Sequence, residues 1–317
     1  MRWKTNLKIS FTFIGMLIGA GFASGKEIAV YFGTAGVAAP LLASFLCGGL
    51  AFVFLELGRI SGADVLSFIF PKTYKVWQFI CMAENFVVFA AMLAASEYIL
   101  RVSLGISGGG LISGLFALTS VLGGIERIKT VNFIAVPFII VMLAVLYLAE
   151  PSFNISGGLN LPAPILYASM NIFSGGFLIS KMAKGIDKKQ AAEISLIISL
   201  VLSVLIVTVY LAVRTRLGEE MPLLALAQNN GLSAIGSMLI YSAIITSMSG
   251  SLVIASGGKK TAACILLAAG FVVALAGFSN IVRFAYPVIG VAGAAFGTAA
   301  IVRLLISSYK EKRELKI

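Results

Sequence analysis

Gly15-Met16-Leu17-Ile18-Gly19-Ala20-Gly21-Phe22-Ala23-Ser24-Gly25 lies inside the first long apolar run of the chain. Four glycines in eleven residues oppose a continuous helix, because each costs about 1 kcal/mol relative to alanine in a helix interior. The objection sharpens in a bilayer, where a loosened backbone N–H or C=O finds no water. A spanning helix is interrupted here only if the freed groups face protein, a cavity or a ligand. Gly19 to Gly25 is therefore expected to be a break that forms half of a binding site. Glycines that merely admit a neighbouring helix explain the same letters, and the stretch alone does not choose between the two.

Composition narrows the setting. Hydrophobic residues make up 59% of the 317 and charged residues 12%, with a mean hydropathy of +1.02. A soluble domain carries about 25% charge, so the chain is expected to be an all-α membrane protein embedded in the lipid bilayer as a single domain, 1–317. Cys47, Cys81 and Cys264 fall in apolar segments, and there is no histidine. The commonest catalytic base and metal ligand is therefore missing, and with no cofactor motif an enzyme is not expected. Residues 1–8 followed by an apolar run imitate a secretory signal, but the glycine pattern inside that run argues for a retained span.

Apolar runs of spanning length cover about 8–33, 35–58, 74–103, 108–124, 130–149, 162–182, 190–213, 232–256, 261–277 and 279–306. With ten spans and the N-terminus in the cytoplasm, nineteen of the 24 Lys and Arg fall on the cytoplasmic side. Both termini are then cytoplasmic by the positive-inside rule. The net charge of +11 thus reports topology and not nucleic-acid binding. The sixth run holds a second interruption, Asn171-Ile172-Phe173-Ser174-Gly175-Gly176-Phe177. Runs 1–5 (8–149) and 6–10 (162–306) are of nearly equal length, and an odd number of spans per half inverts the second half. Two glycine-interrupted helices at matching positions of inverted halves point to a transporter site. Between runs seven and eight, Pro222 and Gly231 bracket a short helix read as an outer lid, and 150–161 is read as a plain outer loop.

This organisation resembles the LeuT-type fold of the amino acid–polyamine–organocation superfamily, a 5+5 inverted repeat with broken helices 1 and 6. Gly19-Ala20-Gly21-Phe22-Ala23-Ser24-Gly25-Lys26-Glu27 is similar to the signature of bacterial YkvI-type membrane proteins. The resemblance implies a multi-pass protein of the bacterial cytoplasmic membrane. It also implies an ion site in which Gly15 and Ile18 supply carbonyls before the break. Ala243-Ile244-Ile245-Thr246-Ser247 would supply a carbonyl and two hydroxyls, an oxygen set suited to Na⁺. Thr and Ser bonded to their own helix explain the latter residues without an ion. Phe22 stands where some relatives place a second-site asparagine.

The substrate site is expected at Gly19, Ala20, Gly21, Phe22, Asn171, Phe173, Ser174 and Gly175, with Phe177 covering its apolar part. Glu84 in the third run is a candidate partner for a substrate cation or a carrier of protons. Glu27 and Arg283, both expected on the outer side, are a candidate gate by analogy with related transporters. The leading expectation is a secondary transporter that couples Na⁺ to a small organic solute of the amino-acid class, with no organic cofactor. Proton coupling through Glu84 or Glu27 is one alternative, and a solute-sensing receptor on the same fold is another.

Overall fold

A chain this apolar must satisfy its own backbone, and helices do so locally. The structure, a computed structural model, describes residues 2–62 and 64–314. The side chains at 122, 124, 125, 174 and 310–314 lie outside that description, so the roles expected of Ser174 and of the basic side chains at 310–316 fall outside the described residues. Thirteen helices follow in order among the described residues: α1 (Arg2–Leu17), α2 (Ala20–Ala23), α3 (Lys26–Phe32), α4 (Ala38–Ser61), α5 (Val65–Ile69), α6 (Tyr74–Leu104), α7 (Gly109–Ala149), α8 (Pro162–Lys181), α9 (Lys188–Val213), α10 (Pro222–Asn229), α11 (Ser233–Ala255), α12 (Lys260–Ala274) and α13 (Phe278–Glu314).

Among the described residues, six helices are long and apolar enough to cross a membrane. A seventh is counted if the bent pair Pro162–Phe173 and Gly175–Lys181, inclined at 48°, is one span. Gly109–Val121 and Lys260–Ala274 are shorter apolar helices. The outer surface is itself apolar: Leu275 is 86% exposed and Leu148 72%. That is the arrangement expected where lipid, not water, is the solvent.

Helix α7 does not run straight. A straight helix of 41 residues would be about 60 Å long at 1.5 Å per residue. Yet both its ends lie at one end of the bundle. Glu97 of α6 accepts the Gly108 and Gly110 N–H groups, each at 3.1 Å, and so caps the start of α7. At its other end Glu150 accepts from Asn230 at 2.9 Å. Ser103 and Ser237, at 2.6 Å, tie these two neighbourhoods together. Glu126 and Lys129, midway along α7, line a pocket with Arg2 and Lys184 at the basic end. Gly109–Val121 and Glu126–Ala149 therefore run back on one another, and the reversal lies at the basic end.

Helix pairings recur between the two halves. α1 packs on α7 as α8 packs on α13, α1 on α9 as α4 on α8, and α7 on α11 as α6 on α13.

The end opposite the basic one is closed by polar ties. α10 forms where Pro222 supplies a preset first-turn φ, and Leu223 N–H donates to the Ser24 carbonyl at 2.8 Å. The lid helix is thus hydrogen-bonded directly to the interrupted first span. The 150–161 segment is a loop, as expected, and it is tied to its neighbours. Arg214 donates to the Ser156 carbonyl at 2.8 Å and to Ala35 O at 2.9 Å, and Gly36 N–H donates to Gly158 O at 2.9 Å. Arg216 meets Glu150 at 2.7 Å.

Gly25 sits at φ +80°, and a Cβ there would run into Val213 of α9. Gly25→Ala is expected to lose about 1–3 kcal/mol from left-handed strain and overpacking. The loss should appear as a lower unfolding temperature of the purified protein in detergent.

Candidate functional site

The first span is interrupted twice. α1 ends at Leu17, Ile18 and Gly19 are not helical, and Ser24–Gly25 separates α2 from α3. Around the first interruption the structure gathers side chains from three other helices. Ser247 of α11 lies 3.4 Å from Gly15 O and 3.3 Å from Met16 O through its hydroxyl. Asn132 of α7 donates to Thr12 O at 3.4 Å, while its Oδ1 is buried without a hydrogen-bond partner. Met92 of α6 offers its sulfur to Ala20 N–H at 3.3 Å.

The glycines make room for side chains that other elements bring to the break. A Cβ on Gly15 would lie 2.6 Å from the Asn132 amide, one on Gly19 3.1 Å from Ser247 Oγ, and one on Gly21 2.5 Å from Glu27 Oε2. The break is glycine-rich because polar side chains from other helices press against it. A Cβ on Gly175 would instead lie 2.6 Å from the Phe13 ring. Its smallness there serves the approach of α1 to α8.

The expected ion ligands are brought together in part. Gly15 and Ser247 meet directly. Thr246 Oγ1 spends its hydrogen bond on Ala243 O at 2.8 Å, inside its own helix, so two of the five expected oxygens satisfy each other. Thr246 and Ser247 are both buried. Asn132 was not legible as part of this cluster, since nothing local marks an asparagine in a membrane helix as facing another span.

A small cavity of about 20 Å³ sits beside the break, lined by Gly19, Glu27, Glu84, Asn171, Ser247 and Tyr286 together with thioether and aliphatic side chains. It spans α3, α6, α8, α11 and α13, and it has room for one water-sized group. Glu84 is buried and accepts from Asn85 Nδ2 at 2.6 Å. Asn171 uses its Nδ2 on Tyr167 O at 2.9 Å. Phe22 and Phe173 do not line this cavity. Both are fully buried, and Phe173 stacks on Phe296 with centroids 4.9 Å apart, beside Trp77 at 6.3 Å. Phe177 is one or two turns nearer the basic end, under Lys181 at 4.2 Å, on the wall of a larger pocket of about 500 Å³ shared with Cys81 and Met82.

The expected gate pair is not formed. Arg283 is exposed and lies over Phe284, 5.6 Å from its centroid. Glu27 is only 3% exposed and turns inward, toward Tyr167 and Asn171. The reason is local: α3 restarts after left-handed Gly25, which swings Glu27 back over Gly21. Closure at this end rests instead on Arg214, Arg216 and α10.

No family model matches the chain. It is similar to the uncharacterized protein YyaD of Bacillus subtilis (strain 168), 22% identical over 338 residues that take in 98% of this chain and 100% of that protein. Its fold is similar to that of Mhp1, a nucleobase-cation-symport-1 family transporter in a closed conformation with bromovinylhydantoin bound. The TM-score is 0.57 and the identity 14%, covering 96% of this chain and 71% of that one. The second likeness is one of fold. Neither match carries the YkvI-type membership that the 19–27 motif resembles.

If the Asn132 amide occupies the space a Gly15 side chain would need, Gly15→Ala should destabilise the protein by about 1–3 kcal/mol. Adding Asn132→Ala should restore part of that loss. Thermal unfolding of both variants checks this, and equal destabilisation of single and double mutants would contradict the packing.

Proposed function

We propose that the protein is a secondary active transporter of the cytoplasmic membrane that couples inward movement of Na⁺ to a small organic solute by alternating access. The observation that carries this reading is the meeting of Ser247 with the Gly15 and Met16 carbonyls across an interrupted span. A spanning helix gains nothing structural by breaking there, whereas oxygens freed by a break are what a hard cation recruits. Gly15, Ile18, Ala243, Thr246 and Ser247 are the proposed ligands, with Asn132 Oδ1 an additional buried oxygen next to Gly15. Thr246 must turn away from Ala243 for its hydroxyl to join them.

In this reading there are ten crossings. They are the α1–α3 span, α4, α6, the two arms of α7, α8, α9, α11, α12 and α13, divided into inverted repeats 8–149 and 162–306 with cytoplasmic termini. The recurrent helix pairings and the fold likeness to a cation symporter support it. The proposed solute site is the cavity beside Gly19, Ala20 and Gly21, opposite Glu84 and Asn171. Phe22, Phe173 and Gly175 shape its surroundings from the packed core. The tied outer end and the larger pocket near Phe177 favour a state closed to the outside, with the exit toward the basic end. Arg283 keeps no proposed role in closure.

A second reading, proton coupling, is favoured by one observation: Glu27 and Glu84 are buried in the same cavity. Counterflow of labelled amino acids in proteoliposomes separates the two. Uptake is expected to require Na⁺, and Ser247→Ala should raise the half-saturating Na⁺ concentration at least about tenfold, as the loss of one charge-bound oxygen does. Flux that ignores Na⁺ and follows a proton gradient would replace the sodium reading with the proton one.

A further inference from the structure

The basic end holds a second polar recess, remote from the break and its cavity. The start of α1, the reversal of α7, the turn between α8 and α9 and the first residues of α9 enclose a pocket of about 520 Å³. Gly185, at φ +80°, shapes that turn, and Ile186 N–H closes it on Ala183 O at 3.3 Å. Two buried amides hold α1 to α9 beside the pocket. Gln190 Nε2 donates to Asn6 Oδ1 at 2.7 Å, and Asn6 Nδ2 donates to Glu193 at 2.9 Å. The recess is therefore fixed by the packed fold.

Its charge is unbalanced. Arg2, Lys8, Lys129 and Lys184 line it against two carboxylates, Glu126 and Asp187. Lys129 takes Glu126 at 2.6 Å, and Arg2 lies 3.4 Å from Asp187 and 3.3 Å from Glu193. Glu126 and Asp187 are exposed, so these pairs are weak. Lys8 and Lys184 form no ion pair among the described residues, and Lys8 lies over the Phe133 ring, 6.0 Å from its centroid.

We propose that this pocket binds the phosphate headgroup of an anionic membrane lipid, held between Lys8 of α1 and Lys184 of the α8–α9 turn, with Arg2 and Lys129 at its sides. Lipid binding here requires only that the chain crosses a membrane, so it goes beyond the transporter reading and stands apart from it.

Depth, charge and surroundings agree. Helix ends and a reversal meet at this pocket, which places it at a membrane face. Trp3, 63% exposed on α1, carries the amphipathic ring that settles at headgroup level. Beyond Lys129 the outer side of α7 is bare and apolar, with Ile134 69% and Val141 56% exposed. Acyl chains can lie along that side while the phosphate stays in the pocket. A phosphate presents acceptors to ammonium and guanidinium donors, the pairing in which charge-assisted hydrogen bonds are strong. Basic pockets between spans suit anionic headgroups for that reason. A zwitterionic headgroup would bring its own cation against Lys8 and Lys184 and is selected against. Bound here, the lipid ties the start of α1, the helix that leads to the break, to the α8–α9 turn.

Native mass spectrometry of the purified full-length protein, titrated with dioleoyl phosphatidylglycerol or dioleoyl phosphatidylcholine, tests this. Phosphatidylglycerol is expected to bind the wild type about tenfold more tightly. Lys8→Gln/Lys184→Gln should remove that preference. Lys259→Gln/Lys260→Gln, which neutralises two exposed lysines at the same end but outside the pocket, should keep it. No preference in the wild type, or equal loss in both double variants, would overturn the proposal. Thermal unfolding with millimolar inorganic phosphate separates the other source of the same chemistry. Stabilisation by free phosphate that depends on Lys8 and Lys184, without a preference for phosphatidylglycerol, would assign the pocket to a soluble anion and overturn the lipid. If the double variant does not fold, Lys184→Gln alone carries the comparison. None of these readouts involves flux, so failure of the transporter reading leaves the site standing.

Discussion

An interrupted helix in a nonpolar solvent must have its freed backbone groups satisfied from elsewhere, and most of this molecule serves that requirement. The break at Ile18–Gly19 loosens the carbonyls of Gly15 and Met16, and Ser247 comes to them from α11. The second interruption at Ser24–Gly25 exposes the Ser24 carbonyl, and the lid helix α10 delivers Leu223 N–H to it. Each freed group thereby fixes a distant element. The polar cluster at Ser247 and the docking of α10 are consequences of these two interruptions.

The same logic explains the unequal roles of the small residues. Gly15, Gly19 and Gly21 are bare because an amide, a hydroxyl and a carboxylate from other positions press on them. Gly175 is bare because an aromatic ring does. In α8 the bend of 48° lies in packed aromatic surroundings, with Phe173 stacked on Phe296, whereas the interruption of the first span is a polar junction. The two helices therefore differ in kind: one gathers polar side chains, the other packs aromatic ones.

Charge follows solvent accessibility. The polar ties at the end opposite the basic one, Arg214 on Ser156 and Ala35, and Arg216 on Glu150, lie where water competes, and each single tie there is weak. Their combined effect is geometric, holding 150–161 against the first two spans. Glu27 sits where water does not compete, so its unpaired Oε1 counts for much more.

Much of the architecture was written in the sequence because hydrophobic length and glycine placement act locally. The apolar runs, the interruption at 17–20 and the lid helix from Pro222 follow from rules that need only near neighbours. The reach of Ser247 to the break was suggested by motif and met by structure, but its neighbour Thr246 turned to its own helix, which no spacing rule decides. Glu27 shows the limit most clearly. From the sequence it was an outer residue poised against Arg283, because the left-handed turn at Gly25 that points it inward is visible only in three dimensions. Asn132 was silent for a related reason: its partner Gly15 is more than a hundred residues away, and periodicity cannot pair positions across a bundle. Composition and periodicity determined that this chain crosses a membrane and where its first helix fails. Only the tertiary packing decided which oxygens, carboxylates and amides meet at that failure, because those meetings depend on the relative placement of separate helices.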